Sequence, residues 1–208
     1  MEIESRQAHW ENVYTRKGES EVSWFQENPA PSLELIAEVA ATPDAAIIDV
    51  GGGASRLVDN LIEKRFRNIT VLDLSASALD AAQTRLGERS AKVHWIITDV
   101  TNWEPQQAYD IWHDRAAFHF LTEASHRAAY IERLGQALKI EGHAIIATFA
   151  LDGPERCSGL PVVRYDAASL GQALGLGFML IRTNRHEHAT PWGSQQIFQF
   201  SVFRHREG

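Results

Sequence analysis

The sequence predicts an α/β protein whose sheet is mostly parallel and covered by helices on both faces. Short apolar runs rich in valine and isoleucine alternate with amphipathic segments between residues 45 and 149, and no linker or repeat interrupts them. Such alternation is typical of sheets built from β-α-β units. The chain has 208 residues, 44% hydrophobic and 23% charged, which suits a single soluble domain.

The first 30 residues carry no strand pattern and are predicted to form an extension. A helix is expected over Glu4–Arg16, where Trp10 and Tyr14 lie four positions apart and share a face. Trp24 follows in a loop, and Ser32 is the expected N-cap of a second helix. This extension therefore places three aromatic side chains ahead of the sheet.

Five strands and their connecting helices are predicted next. The expected strands are 45–50, 69–73, 93–99, 109–113 and 144–149, and the expected helices are 55–66, 75–86 and 123–138. A helix over 166–174 then precedes two strands, 178–182 and 196–203, joined by a loop at 183–195. Because no helix separates these last two strands, they are predicted to form an antiparallel hairpin at one edge of the sheet.

Composition excludes several classes of protein. No apolar run approaches the roughly 20 residues of a membrane helix, and the polar start of the chain has no signal-peptide core. A formal net charge of −7 argues against a phosphate-backbone partner. Cys157 is the single cysteine, so an internal disulfide is impossible. We expect a cytoplasmic monomer or homodimer with no membrane or nucleic-acid partner.

A glycine-rich loop follows the first predicted strand. Asp49 comes shortly before Gly51, Gly52 and Gly53, and a predicted helix follows. In open α/β sheets, ligands bind beside such a loop at the carboxyl ends of the strands, where the helix N-terminus offers free N–H groups. The dinucleotide pattern requires a small residue where Arg56 stands, so the match to NAD or FAD is incomplete.

Acidic side chains also end the next two predicted strands. Asp73 lies 22 residues after Gly51, where an acid can accept hydrogen bonds from ribose hydroxyls. Asp99 ends the third strand, where a carboxylate can bind the exocyclic amine of adenine. Three acids in register after three neighbouring strands predict a nucleoside ligand.

These segments resemble the S-adenosylmethionine-binding motifs of class I methyltransferases. The resemblance rests on IIDVGGGASRL, ITVLDLSASAL and HWIITDV and covers about residues 30–203. It implies a Rossmann-like sheet of seven strands in the order 3-2-1-4-5-7-6, with the last strand antiparallel. It also implies S-adenosylmethionine as cofactor, released as S-adenosylhomocysteine. The implied cofactor contacts are Asp49 and Gly51 to Gly53 for the methionine part, Asp73 with Leu74 for the ribose, and Asp99 with Val100 for the adenine.

The segment after the fourth predicted strand is expected to hold the reacting end of the cofactor. His113, Asp114 and His119 are the candidate catalytic residues, with His119 the first choice of general base and His113 also placed beside the cofactor. Arg115 and His119 are candidates for substrate binding. The alternative is that His113 and Asp114 shape the loop while Arg115 makes a buried ion pair. The segment lacks the [DN]-P-P-[YFW] motif, which disfavours nucleobase and glutamine amino groups as substrates.

The N-terminal aromatics resemble W-x-x-x-Y and [ES]-W-[YF] elements of small methyltransferases, among them protein-lysine and thiol or thiopurine methyltransferases. This resemblance implies that Trp10, Tyr14 and Trp24 fold over the cofactor as a lid. An aromatic wall can attract a sulfonium and exclude water. The alternative is that these side chains only pack the first helix on the sheet.

Two C-terminal loops are expected at the open end of the sheet. Arg164, His188 and Trp192 are candidates for holding an anionic or aromatic substrate. Cys157 has no recognisable nucleophile partner, and the short cluster around His186 does not match a known zinc pattern, so no metal site is expected.

The predicted function is that of an S-adenosylmethionine-dependent methyltransferase acting on a small molecule. The whole chain, 1–208, is predicted as one domain, with 1–30 as lid and 31–208 as core. A protein-lysine methyltransferase is the first alternative. From other classes, an NAD(P)-dependent oxidoreductase is disfavoured by Arg56 and the final hairpin, and an inactive cofactor-binding subunit stays open. The acceptor atom, whether N, O, S or C, also stays open.

Overall fold

A computed structural model describes residues 5–207 and contains one seven-stranded sheet in the order β3-β2-β1-β4-β5-β9-β8. Strands β1 to β5 run parallel, and β9 is antiparallel to both of its neighbours. The strands are β1 Ala46–Val50, β2 Asn68–Asp73, β3 Val93–Ile97, β4 Tyr109–Arg115, β5 Leu138–Phe149, β8 Phe178–Ala189 and β9 Gln195–His205. A small hairpin of β6 Arg156–Cys157 and β7 Leu160–Pro161 stands apart, so the predicted order 3-2-1-4-5-7-6 is confirmed.

Helices cover both faces of the sheet, as predicted. The helices are α1 Arg6–Arg16, α2 Ala30–Val39, α3 Leu57–Glu63, α4 Ala76–Leu86, α5 Ala124–Ala137 and α6 Ala167–Leu174. Successive residues of a strand point to opposite faces. In β1, Ile47 therefore packs with α2, α3 and α4, whereas Ile48 packs with α5 and α6. No helix within residues 5–207 is long and apolar enough to cross a bilayer.

The sheet edge differs from the prediction. Strand β8 continues to Ala189 through the segment predicted as the loop 183–195, and each residue from Arg182 onward pairs with β9. The segment was not recognised as a strand because its residues are polar and mostly exposed, as an edge strand allows. Strand β5 likewise begins at Leu138 instead of residue 144.

Both predicted N-terminal helices exist, with different starts. Helix α1 begins at Arg6, and the Ser5 hydroxyl accepts the Ala8 N–H at 3.2 Å; Glu4 lies outside the described residues. The expected N-cap at Ser32 is wrong, because α2 begins at Ala30 and Ser32 is buried within it. The Ser32 hydroxyl is thereby free to contact a side chain of the sheet.

Candidate active site

A cleft with about 840 Å³ of empty space, partly open to solvent, lies at the carboxyl ends of β1, β2 and β4. A second hollow of about 360 Å³ lies next to it, beside the glycine loop. Tyr14, Trp24, Gly51 and Arg115 line both spaces. The parallel strands explain this position, because their carboxyl ends meet at one edge and leave a crevice there.

The glycine loop turns tightly over Asp49. Gly51 and Gly53 have φ angles of +68° and +48°, a region that side chains disfavour. A Cβ added at Gly52 would lie 2.6 Å from Asp49 Oδ2, so a side chain at this position would displace the loop or the acid. Gly51 donates its N–H to the carbonyl of Leu72 at 2.8 Å, which ties the loop to β2.

His113 holds the acid beneath this loop. Its Nδ1 lies 2.7 Å from Asp49 Oδ1, and its Nε2 lies 2.9 Å from the Ser32 hydroxyl. The imidazole is 2% exposed and lines the smaller hollow only. Since both ring nitrogens already have partners, this geometry supports a role in positioning Asp49 and gives no support to the predicted catalytic role.

Asp73 lines the main cleft, as the sequence predicts. Burial raises the pKa of its carboxyl to about 7, and the negative charge of Asp49 acts in the same direction. The Ser75 N–H donates to its Oδ1 at 2.8 Å, which partly offsets this rise. Hydroxyl groups of a ligand would stabilise the charged form further.

Asp99 also lines the cleft, but both of its oxygens are already engaged. Oδ1 accepts from the Thr101 N–H at 2.9 Å, and Oδ2 forms an ion pair with Arg6 at 2.7 Å. This pair was not predictable from residue patterns, because Arg6 lies 93 positions away on α1. A ligand amine would therefore share or replace the Arg6 contact. Leu74, Val100 and Leu121 supply apolar surface at the same end.

Helix α1 closes one side of the cleft with an aromatic wall. Trp10 packs edge-on against Phe120 at 4.9 Å and against Trp24 at 5.5 Å between ring centroids. Trp24 donates its indole N–H to the Tyr14 hydroxyl at 3.3 Å. Glu11 docks the helix, since its carboxylate accepts from the hydroxyl of Ser75 at 2.8 Å and from the N–H of Ser77 at 3.3 Å. The described part of the segment that was predicted as a lid, residues 5–30, thus borders the cleft.

The structure does not bring Asp114 to the cleft. The carboxylate is fully buried and accepts hydrogen bonds from the Tyr130 hydroxyl at 2.6 Å, from Ala117 N–H at 2.7 Å and from Phe118 N–H at 3.0 Å. Burial raises its pKa to about 6 against these hydrogen bonds. Asp114 therefore shapes the loop after β4, which was the alternative to a catalytic role.

His119 is buried as well. It is 0% exposed and packs between Phe120 and Phe149, with ring centroids at 4.4 and 4.9 Å. The Phe149 N–H approaches its Nδ1 at 3.4 Å, and burial lowers the pKa of the imidazole to about 3. A group this weakly basic that does not line the cleft is a poor general base near neutral pH, so the predicted catalytic and substrate roles are not supported.

Arg115 lines both the cleft and the smaller hollow. Its guanidinium carbon lies 5.4 Å from the centroid of the Phe198 ring. Within residues 5–207, its buried Nη2 has no hydrogen-bond partner and no carboxylate forms an ion pair with it. Burial lowers its pKa to about 10, so the group stays charged near neutral pH. The buried ion pair considered as an alternative is not found in this part of the chain.

The other predicted substrate residues lie away from the cleft. Arg164 pairs with Glu155 at 2.9 Å, His188 Nε2 contacts the carbonyl of Ser23 at 2.7 Å, and Trp192 is 60% exposed. None of these three predicted residues lines the cleft described within residues 5–207. The positions that do complete its far wall are Cys157, Gln196 and Phe198. The sequence analysis missed two of them because they lie in β9, which was predicted only as structural.

Burial raises the pKa of the Cys157 thiol to about 11, so it stays protonated near neutral pH. Among residues 5–207, no group of three histidine, cysteine, aspartate or glutamate side chains is arranged to hold a metal ion.

Comparison with known proteins agrees with this geometry. A family described as a methyltransferase domain matches residues 47–142. The malonyl-(acyl-carrier protein) O-methyltransferase 1 of Ilyobacter polytropus is 30% identical over 100 residues, 47% of this chain and 36% of that protein. The EEF1A lysine methyltransferase 2 of Homo sapiens is 24% identical over 155 residues, 67% of this chain and 66% of that protein. The chain thus spans less than two thirds of either relative.

Solved structures show the same fold. The N-methyltransferase NodS from Bradyrhizobium japonicum, in complex with S-adenosylhomocysteine, superimposes with a TM-score of 0.71 at 13% identity, covering 95% of this chain and 98% of that one. An identity this low shows the fold alone. Together with the domain match, the curated relatives and the sheet order, this fold makes the chain similar to the class I S-adenosylmethionine-dependent methyltransferases.

Proposed function

We propose that this protein binds S-adenosylmethionine in the cleft and transfers its methyl group to a small-molecule acceptor. The observation that carries the proposal is the cleft itself, which is lined by Asp73 and Asp99 and by Arg115, a cation that has no ion-pair partner among residues 5–207. We further propose that residues 1–30 act as the lid of a core formed by 31–208. A cytoplasmic location remains a prediction from the single cysteine.

The residues present fit this cofactor. Asp73 offers a carboxylate to the ribose hydroxyls, and burial of that carboxylate makes such donors favourable. Leu74 and Val100 would flank a purine ring, while Asp99 meets its amine only in competition with Arg6. Gly51 lines the cleft without a side chain, which allows the methionine part to approach the backbone.

When bound, the cofactor supplies a methyl group on a sulfonium whose departure leaves a neutral thioether. The chain's own contribution is to position the acceptor and to exclude water, for which the wall of Trp10, Trp24 and Phe120 is suited. His113 and His119 are the histidines that were predicted as catalytic residues. The ring of His113 is already hydrogen-bonded, and His119 is fully buried. We therefore infer that the acceptor enters with a lone pair available for attack.

Protein-lysine methylation is the second candidate, favoured by the alignment with the human EEF1A lysine methyltransferase over 67% of this chain. The charge of the cleft argues against it. A lysine ammonium entering the acceptor end would meet the guanidinium of Arg115, and like charges at close range in a partly buried site are costly. A neutral or anionic small molecule meets no such repulsion.

Calorimetry tests the cofactor directly. S-adenosylmethionine, S-adenosylhomocysteine and NADPH are titrated separately into the wild-type protein, Asp73→Asn and the exposed control Asp80→Asn. We expect the first two ligands to bind the wild type and the control alike. We expect Asp73→Asn to weaken both by about tenfold or more, because it loses hydrogen bonds to a charged acceptor. Binding of NADPH alone would contradict the proposal.

A further inference from the structure

The cleft contains a positive charge that no carboxylate within residues 5–207 neutralises through an ion pair. Two other partly buried arginines are paired: Arg6, which also lines the cleft, with Asp99 at 2.7 Å, and Arg85, with a side chain 13% exposed, with Asp59 at 2.7 Å. Arg115 differs from both, since its buried Nη2 has no partner in this part of the chain. Buried charges in proteins are ordinarily paired or bind a ligand. The unpaired guanidinium therefore indicates a place where a ligand supplies the anion.

The wall of the main cleft around Arg115 is largely apolar. Its guanidinium lies over the ring of Phe198, and Ala116, Cys157 and Gln196 share this wall of the cleft. Asp49 lines the smaller hollow with Arg115 and attracts its charge, but it forms no ion pair with Arg115, and its Oδ1 is bound to His113 at 2.7 Å. A planar guanidinium beside an aromatic face matches a carboxylate attached to an apolar body.

The position of this wall separates it from the nucleoside end. Asp73 ends β2 and Asp99 follows β3, whereas Phe198 belongs to β9, on the other side of β1 and β4 in the sheet order. A cofactor whose nucleoside lies at the carboxylate end would therefore leave the wall around Arg115 to the acceptor.

We infer that the acceptor is a small molecule with a carboxylate next to an apolar body, and that Arg115 binds this carboxylate. The inference rests on the proposed function for its assignment of the opposite end of the cleft to the cofactor. Arg115 is thereby a specificity-determining residue, which selects acids over the corresponding neutral compounds.

Benzoate and benzamide are suitable probes, because they have nearly the same shape and differ in charge. Each is titrated by calorimetry into the wild type, Arg115→Gln, Arg115→Lys and the surface control Arg67→Gln, with and without saturating S-adenosylhomocysteine. Arg67 has a side chain 71% exposed and lies outside the cleft. We expect the wild type and the control to prefer benzoate by about tenfold or more. Arg115→Gln should lose this preference, and Arg115→Lys should keep part of it.

The affinity for S-adenosylhomocysteine shows whether Arg115 binds the carboxylate of the acceptor or that of the cofactor. If Arg115 serves the acceptor, Arg115→Gln binds S-adenosylhomocysteine within about threefold of the wild type, which also shows that the variant is folded. A loss of about tenfold or more in that affinity would assign Arg115 to the cofactor's own carboxylate and overturn the inference. Equal affinity of the wild type for benzoate and benzamide would overturn it as well.

Failure of the proposed function gives a different result. If S-adenosylhomocysteine does not bind the wild type, the cofactor assignment falls and the acceptor role of Arg115 falls with it. The titrations without S-adenosylhomocysteine would then still show whether Arg115 is an anion site.

Discussion

Replacing Arg115 by methionine should make the ligand-free protein more stable. The change removes a guanidinium that no carboxylate within residues 5–207 pairs with and keeps an unbranched apolar stem of similar length. Removal of a buried, uncompensated charge relieves its desolvation cost. A site that sacrifices stability in this way is typical of residues retained for binding.

The magnitude follows from the pKa of the guanidinium. Burial lowers this pKa from its ordinary value to about 10. Each pKa unit corresponds to about 1.4 kcal/mol, so the charged form costs the folded state about 3 kcal/mol. Because the folded-state pKa lies below the unfolded value, this cost is fully present at any pH below about 10 and is relieved only above it. Arg115→Met also loses the contact with Phe198, which lowers the free energy of unfolding by about 1 kcal/mol. The net gain in the free energy of unfolding is therefore about 2 kcal/mol.

Urea unfolding at neutral pH, followed by tryptophan fluorescence, measures this difference. Arg67→Met is the control, since its exposed side chain should leave the free energy of unfolding within about 0.5 kcal/mol of the wild type. The opposite result would be a free energy of unfolding for Arg115→Met that lies below the wild-type value by about 1 kcal/mol or more. It would mean that Arg115 has a stabilising partner in the folded protein, and the claim of an uncompensated charge would be wrong.

Three further predictions concern the same end of the sheet. Tyr130→Phe removes a hydroxyl that is hydrogen-bonded to two buried side chains, and it should lower the free energy of unfolding in urea by about 3 kcal/mol. Tyr109→Phe is the control, because it removes a buried hydroxyl that has no partner within residues 5–207. It should change the free energy of unfolding by less than about 0.5 kcal/mol. Glu11→Gln weakens the docking of α1 by about 1 kcal/mol and should speed hydrogen exchange of its amides about fivefold, whereas the exposed Glu34→Gln should not. Since the pKa of Asp73 is raised to about 7 and ribose hydroxyls favour its charged form, S-adenosylhomocysteine should bind about tenfold more weakly near pH 6 than near pH 8; a pH dependence that persists in Asp73→Asn would contradict this.

The arrangement of the sheet was predictable from residue patterns, because buried parallel strands are continuous apolar runs and their ends carry glycines or acids. β1 and β2 are almost entirely buried, and the acids near their carboxyl ends line the smaller hollow and the cleft. The full extent of β8 was not predictable in this way, since an edge strand exposed to solvent needs no apolar alternation.

The roles of individual polar residues near the cleft were harder to predict. His119 is the middle residue of a short helical turn, Phe118–Phe120, in the loop after β4, yet its imidazole packs between two aromatic rings of the core. Asp99 follows β3 as expected, but its partner Arg6 comes from the far end of the chain. Such contacts depend on which side chains the fold brings together, and sequence spacing carries no information about them.

The most direct test of the account is methyl transfer from S-adenosylmethionine labelled in its methyl group. The wild type and Asp73→Asn are incubated with a metabolite extract, separated by anion exchange into anionic and non-anionic pools, and with the dialysed protein fraction of the same cells. With the wild type, we expect label in the anionic small-molecule pool and formation of S-adenosylhomocysteine. With Asp73→Asn, we expect a large loss of that label and of S-adenosylhomocysteine formation. Label confined to the protein fraction, or no transfer to any pool by a protein that binds S-adenosylhomocysteine, would contradict it.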